Sequence, residues 1–211
     1  MDFYIEKFVD ISDFPFSDIF SKGENAWESI RNLESFISGL FKSGKIKANY
    51  KNSKNIYIGK GTVVNDSAEI VGPAVIGDNC TIRHGALLRE NCLLGNNVNV
   101  GHACEIKNSI MLNNSTAAHF NYVGDSIIGN NVNISGGAIL ASLRLDKEEV
   151  SIKKKGVRIS TGLKKFCSII GDDSVIGANS VLNPGTILGK NSTVFPLVSV
   201  SGLHPENKII K

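Results

Sequence analysis

The chain has 211 residues, with 23 Lys and Arg against 20 Asp and Glu and a formal net charge of +3, a length that suits one domain with a small appendage. The two signs are mixed along most of it, which excludes a nucleic-acid footprint, and no run approaches the roughly 20 apolar residues that span a bilayer. The opening stretch MDFYIEKFVD lacks the basic-then-apolar order of a signal peptide, so a cytoplasmic protein with neither nucleic-acid nor membrane partners is expected.

Of fifteen aromatic residues, eleven fall at or before Tyr57, a shift in composition that divides the chain into residues 1–55 and 56–211. Within the first unit, Trp27, Ile30, Leu33, Ile37, Leu40 and Phe41 recur at helical spacing and predict an amphipathic helix from Glu24 to Phe41. Phe14, Phe16, Ile19 and Phe20 predict a shorter apolar element ahead of it. Together they read as a small helical cap, rich in Phe, expected to close the first coil of the unit that follows.

From Ile58 the pattern changes. Ile58, Val64, Ile70, Ile76, Ile82, Leu88, Leu94, Val100 and Ile106 stand six residues apart, and Ile170, Ile176, Leu182, Leu188, Val194 and Val200 resume the same period. Met111, Ala117, Val123, Ile128, Ile134 and Leu140 bridge the two runs, with five-residue steps after Ile106 and Val123. Small residues such as Ala68, Ala74, Cys80, Ala86, Cys92 and Cys104 sit four places after the anchors, where a narrow interior needs them. Gly, Asn and Asp fill the corners in IGDN, LGNN, VGDS and IGNN, since these types accept positive φ at little cost. Periodic anchors with periodic corners predict a parallel β-helix, three hexapeptides to the coil.

This period also accounts for the cysteines. Cys80, Cys92, Cys104 and Cys167 show no CxxC spacing, and the first three fall on inward positions, so they are expected to be inert core residues.

Residues 141–169 break the repeat. Alternation around Val150 and Ile152 predicts a hairpin in this excursion. Arg144, Lys147, Lys153, Lys154, Lys155, Arg158, Lys164 and Lys165 face only Asp146, Glu148 and Glu149, a local charge of +5 that suits either a solvated hairpin or a phosphate-binding surface.

Stacking by coils aligns polar residues outside the interior. Arg89 and Lys107 each follow an anchor and lie eighteen residues apart, so both project from one face and suit a shared anion such as a sugar phosphate. Glu105 flanks the same inward Ile106, and Tyr122 follows Glu105 by one seventeen-residue coil, which predicts a common groove. His84, His102 and His119 align up one corner; a column of imidazoles from one chain is a poor tetrahedral site, so no metal is expected.

The stretch CEIKNSIMLNNSTAAHFNYVGDSIIGNNVNISGGAI resembles the acetyltransferase half of the bifunctional N-acetylglucosamine-1-phosphate uridyltransferase/glucosamine-1-phosphate N-acetyltransferase. The resemblance runs almost without gaps from Arg89 to Gly137. It implies a left-handed coil, a homotrimer and acetyl transfer from acetyl-CoA to an amino-sugar phosphate, glucosamine-1-phosphate in first place. On the matched positions it implies His119 as general base, Arg89 and Lys107 as the phosphate pair, and Glu105, Tyr122 and Asn133 as contacts to the sugar.

Beyond Gly137 the family's Asn-Tyr pair is replaced by Ser142 and Leu143. Here ASLRLD and STGLKKFCSIIGD resemble instead the coil of archaeal sugar-1-phosphate nucleotidyltransferases and of their glucose-1-phosphate thymidylyltransferase-like relatives. Ser142 and Lys164 are the positions implied for the coenzyme. The chain carries no Gly-rich nucleotide loop near its start, so no nucleotidyl transfer is expected of it. Three readings stay open: the acetyltransferase, a scaffold or sugar-nucleotide-binding remnant without catalysis, and an acyltransferase for a nucleotide-linked amino sugar. The acyl donor is acetyl-CoA or an acyl group on a carrier protein.

Overall fold

A computed structural model describes residues 3–154 and 156–211, with the side chain of Lys154 also left undescribed. The six-residue period becomes a three-sided parallel β-helix. Among the described residues, three parallel sheets hold eight, eight and seven strands, each sheet taking every third strand along the chain.

The register follows the spacing in the sequence. Ile58 pairs with Ile76 and Ile76 with Leu94 at the full coil, and the five-residue steps tighten this to seventeen residues at Glu105–Tyr122 and His102–His119. The excursion inserts between Ile127 and Ile169, which are direct partners in the first sheet. The last coil is shorter, pairing Ile187 with Leu203.

Every anchor from Ile70 to Val200 is buried in one continuous core. Cys80, Cys92, Cys104 and Cys167 are buried there as free thiols. Burial drives the Cys92 thiol far up and lifts that of Cys167 to about 12, which removes their nucleophilicity. The corners are built as expected: Asn97, Asn114 and Asn131 adopt φ of 57°, 60° and 57°. Their amides form a ladder, Asn97 to Asn114 and Asn114 to Asn131 at 3.1 Å each, that ends on Asp173 at 2.8 Å.

The N-terminal unit departs from expectation in place and extent. The helix runs Glu28–Lys42 rather than from Glu24, because Asn25 instead accepts a hydrogen bond from the Phe3 amide at 3.1 Å and holds a turn. A short 3₁₀ element, Ser17–Ile19, occupies the predicted Phe-rich segment. Only its end meets the first coil, where Tyr50 packs against the coil core and Asn49 bonds the first strand; the rest lies along the outside of the first sheet. Phe3, Trp27, Leu33 and Ile37 pack there on Val75, Leu93, Ile110, Ile127, Ile169 and Ile187 in a second core. These apolar side chains point away from the coil interior, so covering them removes a continuous greasy face from water.

The excursion leaves the coil after the strand Ile139–Leu140 and rejoins it at Ser168–Ile170. Its hairpin pairs Ser151–Lys154 with Val157–Ser160 in antiparallel fashion. It is not simply solvated: Val150, Ile152 and Phe166 are fully buried in the second core, with Phe166 6.3 Å from Trp27 between ring centroids. Of the eight basic residues of this segment, Lys155 and the side chain of Lys154 lie outside what is described. No helix among the described residues is long and apolar enough to cross a membrane.

Candidate active site

The third sheet brings several of the predicted polar residues onto adjacent rungs. Glu105 and Lys107 flank buried Ile106 in the strand Glu105–Lys107, and the next rung, Tyr122–Gly124, sets Tyr122 beside Glu105 and Gly124 beside Lys107. A Cβ at Gly124 would stand 2.6 Å from the Tyr122 hydroxyl, so the phenol lies over its own strand.

Arg89 and Lys107 come together around carboxylates rather than around open space. Arg89 meets Glu105 at 3.1 Å and Glu90 at 3.5 Å. Lys107 meets Asp125 at 3.4 Å and Glu90 at 3.9 Å. Glu90 thus bridges the two cations, and the hydrogen bond to Glu105 holds Arg89 more firmly protonated than usual. Glu90 is 40% exposed and its contacts are the long ones, so its ion pairs are worth about 0–1 kcal/mol and an incoming dianion can displace it.

Tyr122 is half-buried. Burial pushes its phenol above the usual value, nearby Asp125 adds to the shift, and a hydrogen bond with the Ser142 side chain opposes it. Ser142, the position implied for the coenzyme, is itself buried. Leu143 is exposed and bridges Lys165; Lys164 is exposed beside it.

His119 ends the strand Thr116–His119 of the second sheet, at the corner leading to Tyr122. Its imidazole is exposed and makes no hydrogen bond, ion pair or ring contact among the described residues.

The other histidines are engaged. His84 and His102 stack at 5.2 Å, His84 Nδ1 bonds the Ser67 hydroxyl at 2.6 Å, and His102 meets the edge of Phe120 at 5.1 Å. The column therefore splits: His119 is in register with His102, but Phe120 takes the ring contact. Asn133 is exposed on the second sheet beside Thr116 and Val175, and among the described residues no hydrogen bond joins it to Tyr122 or Lys107.

Two residues of this site escape sequence reasoning. Asp125 stands at a corner like many others in the repeat, and only the structure shows it buried against Lys107 and Asn108. Glu90 follows Arg89 directly, a proximity that was the available signal.

Fold and site together define a hexapeptide-repeat β-helix with two cations, Arg89 and Lys107, held among three carboxylates. Residues 70–163 match the family model described as GMPPB C-terminal domain, and residues 168–194 that of the hexapeptide repeat of succinyl-transferase. Over 92 residues the chain is 38% identical to the bifunctional sugar-1-phosphate nucleotidylyltransferase/acetyltransferase of Sulfurisphaera tokodaii, covering 44% of this chain and 23% of that one. Over 170 residues it is 35% identical to the bifunctional protein GlmU of Methanococcus maripaludis, covering 80% and 41%. The solved N-acyltransferase AntD from Bacillus cereus superposes with a TM-score of 0.40 at 19% identity, over 72% of this chain and 76% of that one. The resemblance read in the sequence, to the acetyltransferase half and to the archaeal nucleotidyltransferases, is borne out. The chain spans between about a fifth and two fifths of the curated relatives it matches.

Proposed function

We propose that this protein transfers an acetyl group from acetyl-CoA to the amine of an amino-sugar phosphate, with glucosamine-1-phosphate as the first acceptor. The observation that carries the reading is the exposed imidazole of His119, without hydrogen bond, ion pair or ring contact among the described residues, at the corner that leads to Tyr122, the strand partner of Glu105. A general base needs such freedom to reach the proton it takes. The sugar amine attacks the thioester carbonyl, a C–N bond forms, the C–S bond breaks, and the proton removed by His119 passes to the departing thiolate. The phosphate replaces Glu90 between Arg89 and Lys107, Arg89 by its forked face and Lys107 as a point charge. Names of relatives that join sugar-1-phosphate and acetyltransferase activities support the choice of acceptor class.

A homotrimer belongs to the same proposal. Asn133 lies on the second sheet rather than on the third with Tyr122 and Glu105, as suits a site completed between subunits. Acceptor competition tests the reading: acetyl transfer to glucosamine-1-phosphate should exceed that to a nucleotide-linked amino sugar. The reverse preference would move the reading to that acceptor, and inertness toward both, with acetyl-CoA and with carrier-bound acyl groups, would leave a scaffold.

A further inference from the structure

The hairpin of the excursion holds a like-charge pair that the fold does not balance. Lys153 and Arg158 are direct partners across its antiparallel strands and both are exposed. Side chains so placed have Cβ atoms roughly 4.5–5.5 Å apart, and like charges there oppose pairing. Neither cation has an ion pair among the described residues.

The hairpin is not free to relieve this by swinging away. Ile152 on its inner face is fully buried and Ile159 packs against the same core. Its first strand rests on two glycines of the coil: a Cβ at Gly185 would lie 2.6 Å from the Ser151 carbonyl oxygen, and one at Gly202 2.8 Å from that of Lys153. The outer face is therefore a fixed platform, and a ligand meeting it need not pay to order the backbone.

Arg158 also lines, with Lys147 and Lys164, a cleft of ≈ 570 Å³. Of the carboxylates lining that cleft, Asp146 is taken by Arg144 and Glu149 accepts the Ser160 hydroxyl at 3.0 Å. The four cations that line the cleft, Arg144 among them, outnumber its three carboxylates by one. Lys153 is not among the residues lining the cleft but is the cross-strand partner of Arg158, which is; a forked guanidinium with ammonium groups near it suits a compact, multiply charged anion.

We infer that the outer face of this hairpin, through Lys153, Arg158 and Lys147, binds the phosphate groups of a ligand. This site is separate from the groove of Arg89 and Lys107 and does not depend on the acyl-transfer reading.

Calorimetric titration of the full chain with inorganic pyrophosphate, and separately with ADP, tests it. Lys153→Gln/Arg158→Gln should weaken pyrophosphate binding roughly tenfold or more, whereas Arg89→Gln should leave this binding in place. Equal affinity for ADP and pyrophosphate supports recognition of phosphate alone, and tighter ADP binding supports a nucleotide as the ligand. The double variant should melt no lower than the wild type, since it removes a repulsion. No binding of pyrophosphate at low ionic strength, binding lost only in Arg89→Gln, or a lowered melting point with affinity unchanged would each overturn the inference. Because binding is read without turnover, failure here is distinct from failure of the acetyl-transfer proposal.

Discussion

Lys107 Nζ stands 3.4 Å from Asp125 Oδ1 on the neighbouring coil, with the two side chains only 12% and 3% exposed. The same oxygen accepts a hydrogen bond from Asn108 at 2.8 Å, while Oδ2 is buried without a partner among the described residues. The cation that faces the groove is thus held from behind by a carboxylate that has given up its water.

Lys107→Met should leave that carboxylate uncompensated and destabilise the fold by about 3–5 kcal/mol, since breaking a buried pair costs far more than exchanging both partners. Adding Asp125→Asn, which removes the charge but tolerates the positive φ of 46° and still accepts from Asn108, should recover most of the loss. Denaturant unfolding of the three variants checks this; a loss below about 1 kcal/mol for Lys107→Met would mean that the pair behaves as a solvated one.

Trp27→Ala should destabilise the chain by about 3–5 kcal/mol. The indole is fully buried between Phe3, at 5.2 Å, and Phe166, at 6.3 Å, and so ties the N-terminal unit to the excursion across the first sheet. Equilibrium unfolding, together with binding of a dye that reports exposed apolar surface, measures both the loss and the uncovering of Val75, Leu93 and Ile110. Unchanged stability would show that the cap is not integral to the fold.

The Tyr122 phenol should titrate above the usual value of about 10, chiefly because of its burial. A raised phenol adds stability that is fully present below its unfolded pKa and lost as pH rises through its folded one. Ser142→Ala removes the hydrogen bond that opposes the shift, so absorbance titration of the phenolate should move still higher in that variant. A move downward would show that Ser142 is not its partner.

The coil was legible because its signal is redundant: each anchor repeats the same demand for a buried apolar residue, and each corner the same demand for positive φ. The position of the cap was also written there, one place before the anchors. Val75, Leu93, Ile110, Ile127, Ile169 and Ile187 are apolar on one strand in three, where the other two sheets carry residues such as Thr81, Asn99, Glu69 and Glu105. A period of eighteen laid over a period of six names the covered face, and reading the anchors alone passes over it.

The site divides differently. Arg89, Glu105, Lys107 and Tyr122 were placed on one face by counting coils, because outward positions in a regular solenoid stack predictably. Counting does not tell which neighbours neutralise one another: Glu90 and Asp125 emerge only from side-chain geometry. It also does not tell that Phe120, at φ 53°, turns its ring to His102 and leaves His119 alone. That bulky residue in a left-handed conformation carries a steric cost that Gly or Asn would avoid.

The most direct measurement is thiol release from acetyl-CoA by the purified protein with glucosamine-1-phosphate, for the wild type and for His119→Ala. Turnover that falls by about two to four orders of magnitude in the variant, with its assembly and melting point unchanged, is the expected result. Near-normal rates in His119→Ala would contradict the assignment of the base, and no release by either protein would contradict acetyl transfer to this acceptor.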